Sequence, residues 1–221
     1  MSAILFGSIS TLADTSELQR RAFNEAFASH GLDWDWSQDD YSAMLGSNGG
    51  AQRVADYAAS RGQDVDSSAI HATKSEIFRK LLNDEDVEPR PGVVRTMERA
   101  KHEGYKLGLV TTTSTENVSA LLAALQRKLN ADAFDLVVDS SSVDQTKPDP
   151  ASYLFALEEL GEDASSAVAI EDNVGGVQAA ANAGVTCVAF PNQNTSGGDF
   201  SAAAETVDAL DADRIVELTR A

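Results

Sequence analysis

Three short stretches of this chain bring together side chains able to hold a phosphate group and a hard divalent cation. The run Thr111-Thr112-Thr113-Ser114 supplies four hydroxyls and a series of backbone N–H groups directly before a helical pattern, a good cradle for an anion. Lys147 stands in "TKPDP" and supplies a cation. Glu171 and Asp172, followed by Asn173, supply adjacent carboxylates suited to a hard metal ion. A fourth stretch is notable for what it lacks. After the apolar run "AILF" comes Gly7-Ser8-Ile9-Ser10-Thr11, with no acid, base or thiol and nothing stronger than a hydroxyl.

Each stretch alone has an ordinary structural use. Hydroxyls after a strand serve turns and caps, a lysine before proline is usually solvated, and acids suit the positive end of a helix. Their order and placement are the stronger signal. Each follows an apolar run of strand-forming residues: Ala3–Phe6, Lys106–Val110, Phe134–Val138, Ala167–Ile170 and Thr186–Phe190. Between most of these runs lie helical patterns. Ser114 or Thr115 can cap a helix over 116–128, with Leu121, Leu122 and Leu125 on one face. Asp149 can cap a helix that starts at Pro150 and carries Tyr153, Leu154, Ala156, Leu157 and Leu160. Asn173 can cap another that runs to Ala183 and stops at Gly184. Alternating strands and helices predict a doubly wound parallel sheet, whose ligands bind beyond the carboxyl ends of the strands. All four stretches fall at such ends.

The segment 15–90 reads differently, as helices alone over about 15–30, 37–46, 51–61 and 66–84. Pro89 and Pro91 in "EPRPGV" end it. The expected organisation is an α/β core of residues 1–14 plus 88–221, with a small all-helical cap at 15–87. No internal repeat or low-complexity linker interrupts the 221 residues.

Composition narrows the function classes. Lys plus Arg number 17 against 35 Asp plus Glu, a formal charge of −18. That field repels nucleic acid and anionic membranes, so neither is an expected partner. Screening over about 8 Å leaves room for a local site that takes a phosphorylated small molecule. Solubility or a saline environment accounts for the acidity equally well. The single cysteine, Cys187, forms no intrachain disulfide or multi-cysteine metal cluster, which with the absence of a leader-like or membrane-spanning run predicts a reducing, cytoplasmic setting. Trp34 and Trp36 look exposed and read equally as cap packing or a contact surface.

The motifs "TLADT", "LGLVTTTSTENV", "KPDPASYLFALEEL" and "AIEDNVGGVQAAANAGV" resemble the four ordered motifs of the haloacid dehalogenase (HAD) superfamily. The helical insertion resembles its small α-helical cap. "SELQRRAFNEAFASHGLDWDW" and "TTTSTENV" are similar to the β-phosphoglucomutase-like, sugar-bisphosphate phosphatase (CbbY-like) branch. The resemblance implies a Rossmann-like core and Mg²⁺-dependent phosphatase chemistry. An aspartate after the first strand would form an aspartyl-phosphate, and a second, two residues on, would act as acid/base. It also implies that Thr111, with Thr112 beside it, binds phosphoryl oxygens. Lys147 would offset charge, Asp172 would ligate the metal, and Glu171 would be ligand or neighbour.

The first motif departs from that pattern. Gly7 stands at the nucleophile position and Ile9 at the acid/base position, while Thr11, Leu12 and Asp14 persist. Glycine forms no acyl phosphate and isoleucine moves no proton. Any Mg²⁺ site is weakened by one carboxylate, though the Ile9 carbonyl could still face it. In the cap, Gln19 replaces a customary histidine and Ala51 a lysine, while Glu17, Arg20 and Arg53 remain as polar contacts. Three functions stay open: a catalytically silent relative that binds phosphate, a hydrolase with residual or altered activity, and a regulatory or binding partner. For the second, Ser8, Ser10, Thr11 or an Asp172-activated water could attack. Strand alternation, continued past Gly7, predicts that Ser8 points away from the cleft.

Overall fold

The computed structural model describes residues 2–45 and 49–220. Five runs form strands in the predicted places: β1 (Ala3–Phe6), β2 (Lys106–Val110), β3 (Leu136–Val138), β4 (Ala167–Glu171) and β5 (Thr186–Ala189). A two-residue strand, β6 (Glu205–Thr206), too short to show in a sequence pattern, completes the sheet. All pairings are parallel and the order is β3-β2-β1-β4-β5-β6. The chain winds outward from β1 through β2 to β3, then returns to β4 on the other side of β1. That reversal opens a crevice beyond the carboxyl ends of β1, β2 and β4.

Alternation along the strands divides the core in two. Ile4, Phe6, Leu107, Leu109, Val168 and Ile170 face one apolar layer, and Ala3, Leu5, Val110, Ala167 and Ala169 face the other. The first layer is covered by α6 (Val93–His102), α7 (Thr115–Leu125) and α10 (Ala212–Leu218). The second is covered by α8 (Ala151–Leu160) and α9 (Val174–Asn182). Their caps follow the expected chemistry: Ser114 accepts from Asn117 N, and Asn173 from Gly176 N. Asp149 accepts from Ala151 N, and Pro150 precedes the first helical residue. Two boundaries shift. β3 starts at Leu136, because Phe134 closes a 3₁₀ turn and lays its ring edge-on to Phe6. α7 ends at Leu125 rather than 128, and Lys128 instead reaches back to Asp86 and Glu88.

Between β1 and α6 lie a four-residue turn of helix, α1 (Ile9–Leu12), and four helices: α2 (Ser16–Ser29), α3 (Gln38–Ala43), α4 (Gly50–Ser60) and α5 (Ser67–Asp84). α3 stops three residues short of position 46, which lies outside the described residues. These helices share an apolar cluster of their own, built on Phe23, Phe27, Trp34, Trp36, Tyr41, Val54 and Ile70. Trp34 and Trp36 are therefore interior packing, with ring centroids of Phe27 and Trp36 4.6 Å apart. No helix among the described residues is long and apolar enough to cross a membrane. Trp36 is fully buried with Phe23, Phe27 and Tyr41 around it. Trp36→Ala is expected to cost about 3–5 kcal/mol in urea unfolding; a loss below about 1 kcal/mol would show that this cluster contributes little to stability.

Candidate active site

A cavity of about 390 Å³ lies between the strand ends and the inserted helices. Its core side is lined by Ser8, Ile9, Ser10, Thr111, Thr112, Thr113, Ser114, Asp172, Asn173 and Asn192. The inserted helices line its other side through Gln19, Phe23, Tyr41, Arg53, His71 and Lys74. The sequence-derived residues thus converge, with exceptions. Glu17 and Arg20 pair with each other at 2.6 Å, Arg20 also bonds the Trp36 carbonyl, and neither lines the cavity.

The hydroxyl run is partly self-satisfied. Thr111 N donates to Val138 O, and Thr113 N to Thr111 Oγ1. What the run offers a ligand is therefore chiefly hydroxyls and the first turn of α7. Ser8 overturns the alternation argument: its Oγ turns into the cleft and donates to Asp172 Oδ1 at 2.7 Å. The reason is local. Ser8 is the N-cap of α1, extended at φ −155° and ψ 167°, and the same Oγ accepts from Thr11 N. A cap fixes the side chain by the helix that follows, not by the strand before it. Ser10 meets Thr15 Oγ1 at 2.8 Å, and Thr11 donates to Ser8 O, so neither hydroxyl bonds a base.

Behind the cavity wall lies the cluster that governs the site. Lys147 Nζ donates to Glu171 Oε1 at 2.6 Å, to Val110 O at 2.7 Å and to the Gly7 carbonyl. These are three acceptors for the three protons of an ammonium group. The Nζ also lies 4.7 Å from the ring centre of Tyr153, whose hydroxyl donates to the same Glu171 oxygen. Glu171 is completely buried, with Oε2 unpartnered. Burial, then the neighbouring Asp172 charge, raises its pKa above the usual carboxylate value against the pull of Lys147. A side chain begun at Gly7 would overlap the Glu171 carboxylate and the Tyr153 hydroxyl, and one begun at Gly176 would overlap the same carboxylate. Glu171 occupies a slot bounded by two glycines, where the side chain of residue 7 would start. Tyr153 reads in sequence only as one apolar position of α8, so its part here emerges from the packing.

The fit to Mg²⁺ follows from the same contacts. Mg²⁺ takes oxygen ligands at about 2.0–2.1 Å in octahedral geometry. Asp172 Oδ1 already accepts from Ser8 and Asn173, and Oδ2 from Asn192 at 3.1 Å. Glu171 is withdrawn, residue 7 has no carboxylate, and the Ile9 carbonyl accepts from Ala13 N within α1. No three His, Cys, Asp or Glu side chains among the described residues are grouped to hold a metal. The donors present do not fit the ion.

Two residues unassigned in the sequence complete the walls. Arg90 bonds the carbonyls of Ser10, Phe190 and Pro191, stacks 3.4 Å over Phe190, and so fastens α1 to the loop after β5. Lys74, an ordinary surface lysine by pattern, is buried between the rings of Phe23 and Phe78 and donates to Gln19 Oε1. Burial, reinforced by Arg53, lowers its pKa from 10.5 to about 7. His71 falls to about 4 for the same reason, with Lys74 and Arg53 adding to it.

A parallel sheet with its chemistry at the switch of strand order, under inserted helices, defines a haloacid dehalogenase-like fold. The chain belongs to that family: the model described as haloacid dehalogenase-like hydrolase matches residues 6–190. Within it the chain falls in the CbbY-like branch. It is 38% identical over 206 residues to protein CbbY of Rhodobacter capsulatus, covering 92% of this chain and 91% of that one. A crystal structure of a CbbY variant from Rhodobacter sphaeroides in complex with xylulose-(1,5)bisphosphate superposes with a TM-score of 0.86 at 37% identity. It covers 95% of this chain and 94% of that one. CbbY from the same organism in complex with phosphate gives the same TM-score and identity over 99% and 96% of the two chains.

Two outcomes are expected. Lys147→Met strands the buried Glu171 charge and should cost about 3–5 kcal/mol in denaturant unfolding. Adding Glu171→Gln should recover a large part of it, and a double variant no more stable than the single would count against the pairing. For Lys74 the unfolded chain binds more protons between pH 7 and 10.5, so its burial costs most below about pH 7 and less as pH rises across that window. Lys74→Met should therefore raise thermal stability more on the acid side of neutrality than in alkali. A pH-independent difference would contradict this burial cost.

Proposed function

We propose that this chain is a catalytically silent member of the CbbY-like HAD hydrolases that binds a phosphorylated small molecule. In this reading residues 15–87 form a cap over a core of 1–14 plus 88–221. The observation that carries the reading is the refilled position at residue 7: the Glu171 carboxylate and Tyr153 hydroxyl stand where a nucleophile's side chain would begin. Phosphate monoester hydrolysis is so slow unaided that enzymes accelerate it by up to about 10²¹-fold. Deleting the covalent nucleophile of a hydrolase costs on the order of 10⁶ in turnover. Ile9 removes the acid/base as well.

Binding asks less. Thr111, Thr112 and the start of α7 offer donors on the core side, with Arg53, Gln19 and Lys74 opposite. Lys147 offsets the Glu171 charge and stabilises the wall rather than the ligand. The phosphate and xylulose bisphosphate complexes of the R. sphaeroides relative support the ligand class.

With Mg²⁺ present, p-nitrophenyl phosphate and a panel of phosphosugars including xylulose 1,5-bisphosphate should show no turnover. Calorimetry should still detect binding of a phosphosugar, and Arg53→Ala should weaken it by about tenfold or more. Turnover abolished by Thr111→Val and by Arg53→Ala would belong to this cleft and would end the silent reading. One contact favours a second reading, a serine-centred hydrolase: Ser8 Oγ donates to Asp172 within the cavity. Turnover that Ser8→Ala removes would establish it in place of the first.

A further inference from the structure

We infer that the core side of this cleft takes its anionic ligand without a divalent cation, because protein groups have taken over both places that cation chemistry needs. The inference rests on the phosphate-binding reading and concerns how that site is neutralised.

Asp172 has three of its roughly four acceptor sites taken by neutral donors from three elements. Ser8 at the start of α1 and Asn173 at the start of α9 both donate to Oδ1, and Asn192, beyond β5, donates to Oδ2. Asn192 is itself buried and held in place: its Oδ1 accepts from Asn194 N at 2.9 Å and from Thr195 N. These donors form a built shell, since two are helix caps fixed by their own turns. A cation would have to displace two of them to reach Oδ1, and Oδ2 has one site left, too little for a hard cation by itself.

Glu171, the second potential oxygen donor, is turned away and neutralised. Its Oε1 is shared by Lys147 and Tyr153, and the two glycines make room for it in the slot behind the wall. The pair presents no net charge to the cavity, and Lys147 does not line it. Positive charge facing a bound anion comes instead from the opposite wall, chiefly through Arg53, with Lys74 adding to it as it protonates.

Returning an aspartate to residue 7 would reverse the arrangement. The atoms it meets are the far ends of Glu171 and Tyr153. The flexible Glu171 side chain would be driven out of the slot toward Asp172, bringing three carboxylates together. Gly7→Asp should therefore create cation affinity that the natural chain lacks.

The test has three arms on the full chain. Mn²⁺ is titrated and read by the electron paramagnetic resonance of the free ion. Inorganic phosphate is titrated calorimetrically in millimolar Mg²⁺ and again in EDTA. The Mn²⁺ titration is repeated on Gly7→Asp. The natural chain should bind no stoichiometric Mn²⁺, and its phosphate affinity should differ by less than about threefold between the two buffers. Gly7→Asp should bind Mn²⁺ at least about tenfold more tightly than the natural chain. Stoichiometric Mn²⁺ binding by the natural chain, or a tenfold or greater loss of phosphate affinity in EDTA, would overturn the inference. So would a folded Gly7→Asp with no gain in Mn²⁺ affinity. If phosphate binds in neither buffer, the binding reading fails, and Mn²⁺ alone then decides whether the cation site is lost. If Gly7→Asp does not fold, the two titrations of the natural chain decide.

Discussion

A buried carboxylate wedged between two glycines organises this site. Glu171 is shut off from bulk solvent, so its charge must be met locally, and Lys147 and Tyr153 meet it on one oxygen. Lys147 is in turn held by the carbonyls at the ends of β1 and β2. The ends of three strands are thereby tied at one point. Such a pair adds little net stability by existing, because both charges were desolvated to make it, but removing one partner is severe. The cluster fixes the geometry of the crevice floor more than it stabilises the fold.

The same constraint separates shape from chemistry. The crevice keeps what a parallel sheet gives it, strand ends and helix starts, with cationic side chains of the inserted helices opposite. Residues 7 and 9 bring it neither acid nor base. Ser8 does reach the cavity, but it spends its proton on Asp172 and its lone pair on Thr11. Ser8 and Asp172 are thus engaged with each other, and Glu171 Oε1 with Lys147 and Tyr153.

How much of this could be read from the sequence differs with the kind of signal. Local patterns were reliable. The five longer strands, the four helices of the insertion and the caps at Ser114 and Asn173 follow from apolar spacing and cap chemistry, which act within a few residues. So did the meeting of Thr111 and Asp172 at one cavity, since topology places strand ends together; Gln19 and Arg53 were reachable only through the family resemblance. Signals that act through space were not legible. Nothing in "PASYLF" says that Tyr153 leans under Gly7, nor does "KSEIFRK" say that Lys74 is sealed between two phenylalanines. Ser8 misled because a residue shared by a strand end and a helix start obeys the helix. Trp34 and Trp36 stayed undecided between packing and contact surface, because polar neighbours in the chain hide an aromatic cluster assembled from three helices and a loop.

The two-glycine slot also bears on how this sequence can change. Glu171 and Tyr153 fill the space beside Gly7, and a filled site resists added atoms. A lineage that acquires an aspartate at residue 7 meets crowding at once, while Ile9 still supplies no proton. Selection acting one substitution at a time encounters the penalty first. The slot works as a ratchet that favours keeping glycine at residue 7.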